Sequence, residues 1–211
     1  MRNTGRTSEP DVGDLVELWR EYSTEFGEGI ISEYSRTKIY DTSVCPGPWW
    51  GDLTGARVYF LFLNPTTEWV KWDGAPKGVI DNLLLEDRRF PQLLDPSLPG
   101  HRRWTTFLRP LGLTNDFLAE KVCVVNLLPW ASDHFVDHVG VFDNPVTEKV
   151  RRIVGSLVSD KSKFFVVCRR PEVWGVDPYS NVFVFPPIMR RGVHIRQRGL
   201  DLVPTLLEYL K

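Results

Sequence analysis

Along the chain, continuous apolar runs alternate with polar or amphipathic stretches. Four runs stand out: "RVYFLFLN" (57–64), "KVCVVNLL" (121–128), "KFFVVCRR" (163–170) and "NVFVFPP" (181–187). Each is rich in β-branched and aromatic residues, and proline closes each one. None alternates cleanly between apolar and polar positions. Runs of this kind predict strands covered on both faces, and hence a largely parallel sheet of four strands. The stretches between them carry helical spacing. Leu15, Leu18, Trp19 and Tyr22 predict a helix over 12–26, and "GVIDNLLLED" (78–87) predicts a short one. Residues 101–112 read as a helix that Pro110 bends or splits. The best-defined helix spans 144–160. Asn144 caps it, Pro145 suits its first turn, and Val146, Val150, Ile153, Val154 and Leu157 form its inner face. "LDLVPTLLEYLK" closes the chain as a helix with Pro204 near its start. "CPGPWWGDLTGA" (45–56) reads as a turn-rich loop, and residues 1–12 as a flexible tail. Strands alternating with helices predict a three-layer α/β/α domain over 13–211, with right-handed crossovers.

Composition narrows the possibilities. The chain has 211 residues, 42% of them hydrophobic, enough for a real core. A net charge of −1 gives no global basic field, so an anionic partner must be met by a local patch. Arginines do cluster, as the pairs 88–89, 102–103, 151–152, 169–170 and 190–191. Three well-separated cysteines without CxxC spacing argue against a disulfide framework, a zinc knuckle or an iron–sulfur site. Cys123 and Cys168 lie inside apolar runs and read as buried hydrophobes. The P-loop, GxGxxG and GxSxG motifs are missing, which removes the motif basis for those nucleotide-binding and hydrolase classes. His134 and His138 are four apart in "SDHFVDH"; on a helix they would align as metal ligands, but a polar loop is the plainer reading. Neither a metal nor another cofactor is expected. With no apolar leader and no run of membrane-spanning length, the chain is expected to be cytoplasmic and monomeric.

Ligands of open parallel sheets bind beyond the carboxyl ends of the strands. The four runs end in Asn64-Pro65, in Asn126, in Arg169-Arg170, and in Pro186-Pro187 followed by Arg190-Arg191. One rim therefore gathers two amides and up to four guanidinium groups, with Trp69 and Trp72 close behind in sequence. Amides suit a nucleobase edge, arginine forks suit phosphate, and indole faces suit base stacking. Each feature alone also fits a plain structural role: a strand-ending turn, a side-chain cap, a solvated charge or an edge-packing indole. Their coincidence on four strand ends favours a site.

The segments "PGPWWGDLTGARVYFLFLNP" (46–65), "KVCVVNLLPW" (121–130), "KFFVVCRRPEVW" (163–174) and "NVFVFPPIMRRG" (181–192) together resemble the uracil-DNA glycosylase-like superfamily over residues 44–195. The first is similar to a Pro/Gly-rich loop, strand and first motif of LNPG type. The last falls where that family carries its second motif. The resemblance implies a nucleobase-recognising N-glycosidase acting on a damaged or modified base in DNA, or a degenerate module that binds a nucleotide or nucleic acid. Carried over by position, Asn64 orients the attacking water and Asn126 reads the base edge. Trp69 or Trp72 stacks on a flipped base, and Arg190 and Arg191 hold backbone phosphate or the charge of the leaving group. Arg169 and Arg170 join them as phosphate candidates through their own place at a strand end. Glu68 is the candidate general base. Departures accompany the match: Thr66-Thr67 stand where the family has glycine, its stacking aromatic lies further downstream than Trp69 or Trp72, and "PPIMRRG" lacks the second-motif histidine and serine. His194 lies beyond it, out of register.

Overall fold

The computed structural model describes residues 49–53, 55–63, 101–128, 145–176, 180–186, 194–197 and 199–211. The helices expected over 12–26 and 78–87 and the tail over 1–12 lie outside these residues. The four apolar runs form parallel neighbours: β2 (Val58–Phe62), β3 (Val122–Asn126), β4 (Phe164–Val167) and β5 (Val182–Val184). Their order is β3-β2-β4-β5. The three central strands are buried almost throughout, as continuous apolar runs require.

The expected count of four strands needs one correction. A fifth, β1 (Trp49–Trp50), pairs antiparallel with the outer edge of β3, in the segment read as a loop. Two residues are too few to show a strand period. Burial explains the strand: Trp49 and Trp50 are 0% and 4% exposed and cover an edge that would otherwise present open backbone groups. Gly51 then turns the chain with φ +90°, and a Cβ there would stand 2.4 Å from the Val122 carbonyl oxygen.

Helix α1 (His101–Leu108) runs into a 3₁₀ turn, Arg109–Leu111, and stops at Gly112 in the left-handed region. This is the split expected from Pro110. A short helix not anticipated from sequence follows: α2 (Asn115–Lys121), capped by Thr114, whose side chain accepts from the Phe117 amide at 3.4 Å. It leads without a loop into β3. Helix α3 (Pro145–Ser159) buries Val150, Ile153, Val154 and Val158, one stripe at helical spacing. A single turn, α4 (Pro171–Trp174), buries Trp174. The hairpin β6 (Arg196–Gln197) and β7 (Leu200–Asp201) precedes α5 (Val203–Leu210), with Pro204 in its first turn.

Aromatic contacts fix the faces. Phe60 meets Phe107 edge-on at 5.1 Å and Phe62 meets Trp104 at 5.7 Å, while Phe164 meets Tyr209 of α5 at 4.8 Å. Strand alternation puts Phe60, Phe62 and Phe164 on one face, so α1 and α5 cover that face. Tyr59 and Phe165 stack at 4.8 Å on the other face. The β3-to-β4 crossover steps across the sheet opposite to the β2-to-β3 connection, so right-handedness places α3 on that second face. The result is an α/β architecture around a mostly parallel five-stranded sheet.

Candidate functional site

The strand order defines where a ligand fits. From β2 the chain crosses to β3 on one side, and from β4 it crosses to β5 on the other. The connections part between β2 and β4, and beyond the carboxyl ends of these two strands is where open parallel sheets hold their ligands. The backbone is fixed up to this point. Leu127 donates to the Phe62 carbonyl at 3.0 Å and Leu128 to Leu63 at 2.8 Å. Cys168 donates to Leu61 at 3.0 Å. These bonds carry the sheet ladder one or two residues past the strands, so residues emerging there start from a rigid base.

Asn126 ends β3 directly beside Phe62 and is 3% exposed. Register puts it on the face covered by α1. Arg169 and Arg170 follow β4 on the other side of β2. Two of the expected site features, the β3 amide and the β4 arginines, therefore flank the switch point on the same rim. Asn64, Glu68, Trp69, Trp72, Arg190 and Arg191 lie outside the described residues, as do His134 and His138.

The two arginines differ. Arg170 has φ +49° and ψ +62°, the one non-glycine residue with positive φ among the described residues, and it precedes Pro171. Proline disfavours helical dihedrals in the residue before it, and left-handed backbone costs about 1–2 kcal/mol in an L-residue. Strain of this kind at a strand end turns the chain sharply off the rim into α4. The Arg170 guanidinium pairs with Glu172. Arg169 is half-buried, and its Nε is shut away from solvent without a hydrogen-bond acceptor among the described residues. Burial pushes its pKa below the ordinary guanidinium value, and the charge of Arg103 pushes in the same direction.

Arg103 was not legible as a site residue. It sits in the first turn of α1 and is exposed. Trp104 lies over Phe62 and Phe107 over Phe60, so α1 runs antiparallel to β2. Its first turn therefore overhangs the carboxyl rim. The signal was the aromatic pair at positions i and i+3, but only the strand order converts it into a position.

Cys168, beside Arg169, is fully buried, and burial raises its thiol pKa well above the ordinary value. It is a packed hydrophobe and not a nucleophile. Trp49 and Trp50 belong to the core. His194 is exposed just before β6. Among the described residues no cluster of three or more His, Cys, Asp or Glu is arranged to hold a metal ion, and no helix is long and apolar enough to cross a membrane.

Fold and rim define a class: an α/β chain whose strand order switches direction between β2 and β4, with an amide and two arginines at the ends of the flanking strands. Comparison with family models, curated proteins and solved structures returns no match to the chain.

Proposed function

We propose that the chain recognises a nucleobase-bearing ligand at the β2/β4 crevice and acts as an N-glycosidase-type hydrolase on a damaged or modified base in DNA, with a uracil-DNA glycosylase-like fold. The observation that carries this reading is Asn126: an amide delivered by a buried central strand to the rim and 3% exposed, with the β4 arginines on the other side of β2. An amide offers a donor and an acceptor on one rigid group, which matches a base edge, and a buried amide discriminates strongly against bases that leave it unpaired. A mostly parallel sheet with helices in the β2–β3, β3–β4 and β4–β5 connections is compatible with such a fold. In this reading Asn64 holds the attacking water as the base departs, Glu68 assists, and Trp69 or Trp72 stacks on the extruded base.

A second reading has its own support. "PPIMRRG" after β5 holds no histidine to stabilise charge on the departing base, and arginines stand close by. A binding module that retains the pocket without the chemistry fits that departure. Single- and double-stranded oligonucleotides carrying uracil, hypoxanthine, xanthine or a thymine mismatch, treated with alkali after incubation, decide between the two. Strand cleavage that disappears in Asn64→Ala and Asn126→Ala supports the hydrolase. Salt-dependent binding without cleavage supports the module. Absence of both cleavage and binding at low salt overturns the nucleic-acid reading.

A further inference from the structure

Among the described residues, two guanidinium groups stand at the switch point on different layers of the fold. Arg103 comes from the first turn of α1 and Arg169 from the end of β4. They reach the same rim from different layers, because α1 runs antiparallel to β2 and β4 is hydrogen-bonded to β2. The charge of Arg103 reaches Arg169 there. The described carboxylates at this end of the sheet are already engaged. Glu172 pairs with Arg170, and Glu148, in the first turn of α3, pairs with Arg152. The Nε of Arg169 is enclosed and finds no acceptor among the described residues. Like charges held together on a rigid base are unfavourable until an anion lies between them.

We propose that Arg103 and Arg169 form a two-guanidinium clamp for a single phosphate group in the β2/β4 crevice. Guanidinium forks match the spacing of phosphate oxygens, and two forks from separate elements fix one tetrahedral group in position as well as in charge. Arg170 takes no part: its role is to turn the chain and to pair with Glu172. Asn126 lies across β2 from Arg169, about two strand spacings or 10 Å away. That separation suits a phosphate and a base belonging to one nucleotide. Only this last assignment, phosphate of a nucleotide, rests on the function proposed above; the clamp itself does not.

The clamp is tested first with inorganic phosphate alone. Thermal unfolding of the full chain is followed in phosphate and in chloride at matched ionic strength, for the parent protein, Arg103→Gln, Arg169→Gln and Arg57→Gln. Arg57 is exposed at the opposite end of β2 and controls for unspecific salt effects. A ligand that binds the folded state alone raises the melting temperature by mass action. Phosphate should raise it in the parent and in Arg57→Gln, and lose most of that effect in the other two variants. Equal protection in all four proteins, or none in the parent, overturns the clamp. Arg103 is exposed, so its variant keeps the test decisive should Arg169→Gln fold poorly. A labelled single-stranded oligonucleotide and a nucleoside monophosphate form the second arm and separate a backbone phosphate from a free nucleotide. For the ligand that uses the clamp, each variant should weaken binding roughly tenfold, and for the oligonucleotide it should also lower the salt slope by about one. Phosphate protection without binding of either ligand leaves the clamp standing and removes the nucleobase reading. Unchanged affinity in both variants removes the clamp and leaves that reading standing.

Discussion

At the amino end of the sheet, Lys163 donates to the Ala56 carbonyl at 3.1 Å and to the Tyr59 hydroxyl at 3.3 Å. Tyr59 in turn donates to the Leu53 carbonyl at 3.0 Å. Asn181, 0% exposed, shares its amide hydrogens among the carbonyls of Val158, Asp160 and Lys163, and its oxygen accepts from Lys161. At the carboxyl end, Arg169 and Arg103 repel each other, Arg169 Nε finds no acceptor among the described residues, and Arg170 holds strained dihedrals. One end uses polar groups to close turns between elements. The other leaves guanidinium charge close to the surface and keeps its backbone rigid. The same strands carry both ends, so the difference lies in the residues that precede and follow each strand.

The comparison is broken most sharply at Gly51, which turns the chain against the first residue of β3. A Cβ there meets the Val122 carbonyl oxygen at 2.4 Å on a backbone with φ +90°. Backbone cannot move aside as a flexible side chain does. Gly51→Ala should cost about 3 kcal/mol from overpacking and left-handed strain together, measured by urea unfolding. A loss below about 1 kcal/mol would mean that this corner is soft, and that the amino end is not the stabilising one.

Asn181→Ala comes next. It leaves three buried or half-buried carbonyls with fewer donors, and it should cost about 2 kcal/mol. Oligonucleotide and phosphate binding should stay at parental levels. A variant that folds normally but loses binding would erase the division of labour between the two ends.

Much of this architecture was legible and some of it was not, for physical reasons. The four apolar runs announced the parallel strands because burial on both faces removes any alternation. Pro110 announced the break after α1 because it cannot continue the hydrogen-bond ladder. β1 was hidden because two tryptophans have no period, and α2 because "NDFLAEK" has one short apolar step. Asn126 and the β4 arginines were legible as strand-end residues. Arg103 was not, because an arginine pair on a helix looks solvated until the helix direction is known. Asn181 was hidden as well: before a strand it looks like a turn residue, and its acceptors come from the last turn of α3 and the loop after it.

Tyr59→Phe probes the amino end more gently. It removes the hydroxyl between Lys163 and Leu53 and should cost about 1 kcal/mol at neutral pH. Its effect on pH dependence is more telling. Burial raises Tyr59 above its ordinary 10.0, and burial raises Cys123 and Cys168 above 9.0. A folded pKa above the unfolded one gives stability that is present below the unfolded value and lost as pH rises past it. Stability should therefore fall from about pH 9 upward, first through the two thiols and then through the phenol. Lys163 works against this. Burial lowers its pKa, so its contribution grows as pH climbs through its folded value toward 10.5. Three raised groups outweigh one lowered one, and the net alkaline limb descends. In Tyr59→Phe that limb should be shallower above pH 10, as read from urea midpoints across the range. An unchanged limb would show that Tyr59 ionises freely in the folded state.

The smallest effect is expected at Arg169, where the two ends differ most in kind. Arg169→Gln removes a half-buried charge together with its repulsion from Arg103, and it also removes the packing of a long aliphatic stem. These changes oppose each other. In chloride buffer without phosphate, stability should stay within about 0.5 kcal/mol of the parent, or rise slightly. A structural ion pair behaves otherwise: breaking one by removing a partner costs about 3–5 kcal/mol, because the remaining charge is left buried. A loss of that size would place a carboxylate against Arg169 and make the carboxyl rim a closure like the amino end. A stability near zero change, combined with lost phosphate protection, identifies the charge as held for a ligand, since it then contributes to folding only when the anion is present.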